Sequence, residues 1–330
     1  MSKKTKIDYS YESIDSGSID SEIKIKDKII TEIETEIKKK NSNFFKEQDS
    51  ISIKEKNWKK KKKKNAKGKY EYEDIPFADG VKTIIKEICD AKREEDENGE
   101  KIIKLSRSDV FGEDNAEKEE IAKKIIKVLM WGYPRGTMPG SGRKNIINIT
   151  KDENLEKLVN LFSGIKGRGL GENEINEKLP DLKVNGVSGL GIATMSKLLY
   201  FFEVSFEGKR CLIYDSNVIS FLNHDDKKLT LCEDCYGEYL ILNSDLKAKL
   251  KDFIRKAPWE DTDACYFKYL GLMNDLMLQL KTDSENDSKI KEKIQGKSDK
   301  EIEEQIELYM FTKGEALGGR KTKTTKPSKT

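Results

Sequence analysis

The sequence has few of the residues that cross-link small folds through disulfides or bind metals. Its 330 residues include one histidine, six prolines and five scattered cysteines. A disulfide framework is therefore not expected, and a reducing compartment is favoured. No apolar run approaches the roughly 20 residues that a membrane span needs, and no apolar signal segment follows Met1. We expect an intracellular protein without membrane association, cytoplasmic if its source is bacterial.

The cysteines offer one candidate metal motif. Cys232 and Cys235 form a single Cys-x-x-Cys pair, which His224 or Cys211 could complete as a zinc site. One such pair is a weak indication, and His224 is better explained as a surface residue. The sequence therefore predicts no metal site and no cofactor.

Charge is plentiful, and it is unevenly distributed. The net charge is +3, but residues 54–69 carry +9 and residues 313–330 carry +5, while residues 70–312 carry −10. An acidic body argues against a broad DNA-binding face. Any contact with DNA must come from a local patch, from helix-terminal amides or from the basic tails.

The N-terminal region, residues 1–69, is a low-complexity, lysine-rich arm that we expect to be disordered. Residues 59–64 are an uninterrupted lysine run, and such runs repel themselves. The run could hold DNA phosphates, act as a nuclear signal in a eukaryote, or serve only as a solvated linker. Residues 19–37 alternate isoleucine with polar residues, which fits either a strand or an unstable amphipathic segment.

The remaining sequence predicts a mostly helical body over 70–312, followed by a basic disordered tail over 313–330. Apolar residues recur with helical spacing over 79–93, up to Met130, over 152–163 and over 299–311. We therefore expect an all-α fold, and helical bodies of this size commonly form two lobes.

The stretch from Val187 to Lys197 is the most informative motif. A Gly-Leu-Gly turn at Gly189–Gly191 runs directly into an apolar helix, which is typical of the hairpin of a helix–hairpin–helix unit, here over 172–203. Glycines allow close backbone approach, and amides at the helix start can hold a phosphate oxygen. Asp215 follows Lys197 by 18 residues. A lysine with a downstream aspartate is suited to attack on a glycosidic carbon.

These motifs resemble the helix–hairpin–helix DNA glycosylase superfamily. More closely, the chain is similar to bacterial 8-oxoguanine-glycosylase-fold proteins, some of which accompany anti-phage defence genes. The resemblance covers about residues 75–312, and its matching blocks are Ser106–Phe111, Trp131–Gly136, Gly189–Gly191 with Ser196–Phe201, Leu212–Val218, Tyr266–Met273 and Gln305–Phe311.

The resemblance implies an all-α glycosylase fold that grips duplex DNA and flips a damaged or modified base into a pocket. It implies Lys197 as the attacking amine and Asp215 as its partner at a helix N-terminus. In the family pattern the lysine follows the glycine turn almost at once, whereas Lys197 arrives about one turn later. An exposed helix lysine and a plain N-cap aspartate are the structural alternatives.

A second candidate DNA contact is the loop over 131–144, which has four glycines and two prolines. Its aromatic and basic residues suit stacking, strand insertion or phosphate binding, although the loop could be a mere connection. With Gly189 and Gly191, the predicted DNA-binding residues are Trp131, Tyr133, Arg135, Arg143 and Lys144.

Together these features predict a DNA N-glycosylase with AP-lyase activity that removes an 8-oxoguanine-like base, in repair or in anti-phage defence. The alternative is a non-catalytic module that keeps the fold and binds DNA or a partner protein. The acidic body and the displaced lysine favour this alternative.

Overall fold

The computed structural model describes most of the chain. The described residues are 16–39, 42, 44, 50–64, 70–112, 117–138, 142–171, 174, 187, 189–222 and 259–318. Mostly helical structure is found in them. None of the helices in these ranges has the length and apolar character needed to cross a membrane.

The described residues form twelve helices and eight short strands. The helices are α1 (Ser16–Ile37), α2 (Glu55–Lys59), α3 (Asp79–Lys92), α4 (Arg107–Phe111), α5 (Lys118–Gly132), α6 (Lys144–Ile149), α7 (Asp152–Ile165), α8 (Ile192–Phe201), α9 (Ser216–Leu222), α10 (Trp259–Asn286), α11 (Ser288–Ile294) and α12 (Asp299–Gly318). The strands are β1 (Ile51–Lys54), β2 (Lys60–Lys64), β3 (Tyr70–Asp74), β4 (Arg93–Glu95), β5 (Lys101–Leu105), β6 (Gly169–Leu170), β7 (Ser205–Phe206) and β8 (Lys209–Arg210).

The chain divides into two compact units. The larger comprises residues 45–219 and 257–271, and the smaller comprises residues 1–44, 220–256 and 272–330. The larger unit is built around α5, whose apolar face was expected from its helical spacing: Ile121, Ile125, Val128 and Leu129 are all buried. Helices α7 and α8 pack on α5.

The mostly helical fold agrees with the prediction, but three small sheets in the larger unit show that it is not purely α-helical. The sheets have the strand orders β1-β5-β4, β2-β3 and β6-β7-β8. Strand β1 pairs antiparallel with β5, placing Ile53 opposite Ile103, and both side chains are fully buried. Strands of two to five residues are too short to show a period that distinguishes them from loops.

The lysine run is a second correction. Lys60–Lys64 forms β2 and pairs antiparallel with β3 in full register, so these residues are not disordered and ordered structure begins before Tyr70. The partner strand supplies three carboxylates, and Lys60 contacts Asp74 at 2.6 Å while Lys61 contacts Glu73 at 2.7 Å. Cross-strand opposite charges offset the repulsion between neighbouring lysines.

The smaller unit is helical in the residues described. Helix α1 lies in the predicted disordered arm, yet it buries Ile29, Ile33 and Ile37 at helical spacing, which resolves the earlier choice between a strand and an unstable segment. Lys38 at its end contacts Asp287 at 2.9 Å. Helix α12 buries Ile302, Ile306 and Met310, as its spacing predicts.

Candidate active site

Lys197 lies on α8, one and a half turns after the glycine turn. Gly191 is the N-cap residue of this helix, and the side chain of Lys197 is buried. Helical side chains lean toward the N-terminus, and the Nζ atom of Lys197 accordingly donates to the carbonyl oxygen of Ala193 at 3.3 Å. The amine therefore lies one turn nearer to the hairpin than its own Cα.

Asp215 is brought to Lys197 by the apolar segment that precedes α9. Ser196, next to Lys197, accepts a hydrogen bond from the backbone N–H of Tyr214 at 3.0 Å. Two tyrosines of α10 hold the same segment: Tyr266 donates to the carbonyl oxygen of Leu212 and Tyr269 to that of Ile213, at 2.8 and 3.1 Å. The first bond holds the segment against the middle of α8, and the two tyrosine bonds hold it against α10.

The two candidate catalytic side chains form a buried ion pair. Nζ of Lys197 is 2.9 Å from Oδ2 of Asp215, and the side chains are 6% and 13% exposed. The other carboxylate oxygen of Asp215 accepts from the backbone N–H groups of Asn217 and Val218, at 3.0 and 3.4 Å, at the start of α9. Asp215 is thus a helix cap and the partner of Lys197 at the same time.

The environment of Asp215 keeps it ionised. Burial alone raises the pKa of this carboxyl group. The charge of Lys197 and its hydrogen bond, together with the backbone N–H donors of α9, outweigh burial, and the pKa lies below its ordinary value. A carboxylate that stays charged at neutral pH suits the stabilisation of a nearby cation better than the uptake of a proton.

Gly132, the last residue of α5, leaves room for the lysine side chain. A Cβ atom at this position would lie 2.9 Å from Cδ and 3.3 Å from Cε of Lys197. Both distances are shorter than the usual separation of about 3.5–4.0 Å between carbon atoms in contact. The aliphatic part of Lys197 therefore occupies the space that any larger residue would need.

The glycine turn before α8 is partly within the described residues. Gly189 has a φ of 96°, and a Cβ atom there would lie 2.6 Å from the side chain of Asn145 on α6. Gly191 has no atom within 4 Å of its Cβ position, so the backbone at the start of α8 is open to a neighbour. The first helix expected for the unit over 172–203 falls almost wholly outside the described residues.

The loop over 131–144 is only in part the surface patch that the sequence predicted. Trp131 is 6% exposed and packs edge-on against Phe201 at 5.2 Å, so its ring belongs to the core and is not presented to DNA. The sequence pattern places Trp131 in the loop, but α5 continues through it to Gly132. Tyr133 is hydrogen-bonded through its hydroxyl to Thr194 on α8 at 2.6 Å.

Basic residues of this loop remain on the surface. Arg135 and Lys144 are exposed, whereas Arg143 is half-buried and donates to the carbonyl oxygen of Lys60 in β2 at 2.5 Å. The segment before β2 also contacts the loop, since Trp58 donates to the carbonyl oxygen of Tyr133 at 3.2 Å. The loop is therefore braced by the N-terminal strand region.

The residues that hold the pair carry no sign of this role in the sequence. Gly132, Ser196, Tyr266 and Tyr269 all lie in the matching blocks, but no local pattern assigns them a function. Their functions depend on contacts between segments distant in sequence, for which no local pattern exists. His224, Cys232 and Cys235, considered as metal ligands, lie outside the described residues, and elsewhere the structure brings no three metal-binding side chains together.

The family model described as "Putative 8-oxoguanine DNA glycosylase OGG-like protein" matches residues 47–311. The chain belongs to this OGG-like family. No curated protein and no solved structure matches the chain. The matched span includes β1, α2 and β2, upstream of the folded body that the sequence predicted.

Proposed function

We propose that this OGG-like protein is a DNA N-glycosylase that attacks its substrate with Lys197 and removes an oxidised or otherwise modified base resembling 8-oxoguanine. The observation that carries the proposal is the buried contact of 2.9 Å between Lys197 and Asp215, directly behind the Gly189–Gly191 turn. An amine and a carboxylate in contact, close to a backbone that can approach DNA, are the groups that the reaction requires.

The direction of the lysine side chain supports this role. Lys197 comes about one turn later than the lysine of the family pattern. Its ammonium group reaches back to the carbonyl oxygen of Ala193, which offsets most of this displacement along the helix. A helical turn rises about 5.4 Å, and an extended lysine side chain spans a comparable length. The later position of Lys197 in the sequence is therefore compatible with an amine at the level of the first turn of α8.

In the proposed reaction the ammonium group of Lys197 first gives its proton to water, and the neutral amine that results attacks C1′ of the flipped nucleotide. The C1′–N bond breaks, and the base leaves with the bonding electrons and takes a proton from water. Asp215 stabilises the positive charge that develops on the sugar. Loss of a proton from the nitrogen and opening of the ring give a Schiff base. Removal of a C2′ proton then expels the 3′ phosphate, which is the AP-lyase step.

DNA would be held by the surface near the pair. Backbone amides at Gly189 and Gly191 would contact phosphates, joined by the exposed Arg135 and Lys144. A base-excision enzyme of this kind could serve either repair or defence against phage DNA.

A non-catalytic DNA-binding module is the second candidate, and one observation favours it. The side chain of Lys197 is only 6% exposed and lies against a charged carboxylate. A sugar reaches the amine only if the surrounding side chains move. A protein that uses the fold for binding alone would need no such movement.

Trapping with borohydride tests the chemistry. Duplex DNA with 8-oxoguanine, and in parallel phage-derived modified DNA, is incubated with the wild type, Lys197→Gln and the control Lys82→Gln. Lys82 is an exposed lysine that contacts Asp79 on α3, so its loss removes one amine from the surface. We expect a covalent adduct with the wild type and the control, and none with Lys197→Gln.

Other outcomes assign the reaction differently. Abasic sites without an adduct would move the chemistry to Asp215 and a water molecule. Binding without any product on either DNA would contradict the glycosylase and favour the non-catalytic module. A thermal melt of each variant checks that Lys197→Gln is folded, because it leaves Asp215 buried without its ion-pair partner.

A further inference from the structure

Tyr133 is held both through its backbone and through its side chain. It is the C-cap residue of α5, and its carbonyl oxygen accepts hydrogen bonds from the indole N–H of Trp58 at 3.2 Å and from the backbone N–H of Gly136 at 2.8 Å. Its hydroxyl group lies 2.6 Å from the hydroxyl group of Thr194, in the first turn of α8. Tyr133 therefore connects the N-terminal region, the loop over 131–144 and helix α8.

The residues next to Tyr133 and Thr194 make two of the contacts of the Lys197 side chain. Gly132 precedes Tyr133, and the carbon atoms of Lys197 lie where its Cβ atom would be. Ala193 precedes Thr194, and its carbonyl oxygen accepts a hydrogen bond from the ammonium group at 3.3 Å. The bond between the two hydroxyl groups therefore fixes the end of α5 and the first turn of α8 relative to each other, where both touch Lys197.

Helix α2 in turn holds the start of the loop. The side chain of Trp58 is 1% exposed and stacks on Phe77, with 6.2 Å between the ring centroids, so the direction of its N–H group is fixed. Asn57 donates to the carbonyl oxygen of Pro134 at 3.4 Å. A Cβ atom at Gly136 would overlap the backbone of Asn57. The loop is thus packed directly on the backbone of α2.

We propose that Tyr133 is a positioning residue for Lys197 and that Trp58 acts through it, so that the N-terminal region takes part in building the candidate active site. The inference deepens the proposed function and rests on it for the reaction that Lys197 performs. The sequence analysis predicts Tyr133 as a contact to DNA, and the experiment below separates the two roles.

Loss of the bond between the hydroxyl groups should have two opposite effects. One hydrogen bond shifts an equilibrium between a closed and an opened arrangement by about two- to tenfold. Without it the end of α5 can move away from α8, so the amine of Lys197 becomes more accessible to a small reagent. The same movement takes the amine out of place for attack on a sugar, and misplacement of a reacting group slows a reaction.

Tyr133→Phe tests the proposal, because it removes the hydroxyl group and keeps the ring. Reductive methylation of the full-length protein without DNA is read at each lysine by peptide mass spectrometry. We expect methylation of Lys197 to become about two- to tenfold faster. Single-turnover borohydride trapping on saturating DNA with 8-oxoguanine should slow about tenfold, as a displacement of roughly half an ångström would give. Affinity for unmodified duplex should match the wild type.

Matched variants separate positioning from a general loss of packing. Tyr200→Phe removes a tyrosine hydroxyl group from the same helix, where it accepts a hydrogen bond from Arg107 at 2.9 Å, and both rates should match the wild type. Thr194→Ser keeps the hydroxyl partner of Tyr133 and should also match it. Thr194→Val removes that partner and should reproduce Tyr133→Phe.

Trp58→Phe tests the link to the N-terminal region. The phenyl ring can still pack on Phe77 but has no N–H donor, so both rates should change in the same direction as with Tyr133→Phe. The double variant should show less than the product of the two single effects, because both substitutions act through the position of Tyr133. A simple product would show that Trp58 acts independently and would overturn that part of the proposal.

Three results would overturn the role of Tyr133. Methylation and trapping within twofold of the wild type would show that its hydroxyl group does not position Lys197. Equal changes in Tyr200→Phe, or faster methylation at every lysine, would reduce the effect to a general loosening of the fold. Weaker DNA binding with unchanged trapping on saturating DNA would make Tyr133 a DNA contact. A wild type that traps no DNA refutes the proposed chemistry, whereas methylation, measured without DNA, still decides whether Tyr133 holds Lys197.

Discussion

The contact between Gly132 and Lys197 gives a sharp test of how the candidate active site is held. Replacing Gly132 by alanine introduces a Cβ atom at 2.9 Å from Cδ of Lys197. The usual separation of such atoms is about 3.5–4.0 Å, so a shift of the lysine side chain by roughly 0.6 Å would restore an ordinary contact. The change touches neither Asp215 nor the proposed DNA surface.

The size of the effect follows from the geometry of the ion pair. The distance of 2.9 Å between Lys197 and Asp215 would rise to the limit of about 3.5 Å if the whole shift fell on it, where a hydrogen bond is weak. Displacing a reacting group by about 1 Å commonly costs on the order of 100-fold in rate. We expect adduct formation with Gly132→Ala to slow by about tenfold to 100-fold.

Stability should change little, which separates positioning from unfolding. Alanine is favoured over glycine in a helix by about 1 kcal/mol, and this gain opposes an overpacking cost of roughly 1–3 kcal/mol. Gly164→Ala in α7 is the matched control, because no atom lies within 4 Å of its Cβ position. It should raise the melting temperature without altering the trapping rate.

The assay is single-turnover borohydride trapping, with affinity for unmodified DNA measured on the same samples. We expect the trapping rate of Gly132→Ala to fall while its DNA affinity matches the wild type. A rate within twofold of the wild type would refute the reasoning, since it would show that Lys197 accommodates a methyl group without losing its place. A parallel fall in DNA affinity would also refute it.

Three further predictions follow from the same region. The pKa of Asp215 is lowered in the folded protein. Its stabilising effect is therefore present above the unfolded pKa of about 3.9 and is lost as pH falls through the folded pKa. Below about pH 4, the melting temperature of Asp215→Asn should fall less on acidification than that of the wild type. Gly189→Ala combines a φ of 96° with a close approach to Asn145 and should destabilise by about 1–3 kcal/mol. Gly191→Ala meets open space at its Cβ, so it should lose only the preference of the N-cap position for glycine over alanine, up to about 1 kcal/mol; equal melting temperatures for the two variants would contradict this. Ser196→Ala removes the acceptor of an interior backbone N–H and should cost about 1–3 kcal/mol in denaturant unfolding, and an unchanged midpoint would show that the segment before α9 is held by other contacts.

Long amphipathic helices were the most predictable part of the fold. The apolar positions of α5, α7 and α12 repeat at helical spacing, and burial of Ile125, Leu158 and Ile306 confirms those faces. The short strands were not predicted, and the lysine run, predicted to be disordered, forms strand β2. A strand such as β2 exists because carboxylates of β3 lie opposite its lysines, a pairing that five lysines in a row do not reveal.

The candidate site shows the same division. The Gly189–Gly191 turn, Lys197 and Asp215 can be found from local pattern and resemblance, because spacing and residue type are written in the sequence. Whether they meet is decided by bonds between separate segments, such as that of Ser196 with the segment before α9. Trp131 was placed in a surface loop for lack of this information, since nothing local shows that Phe201 packs on it.

The helical periods, the glycine turn and the identity of the lysine and aspartate can thus be read from the order of the residues. Only the folded chain shows that Lys197 turns back along α8 into the space left by Gly132, and that Asp215 lies 2.9 Å away and stays charged. Periodicity is a local property of the chain. Burial, ion pairing and the space available to a side chain depend on which distant segments come together. Tertiary packing determines those contacts.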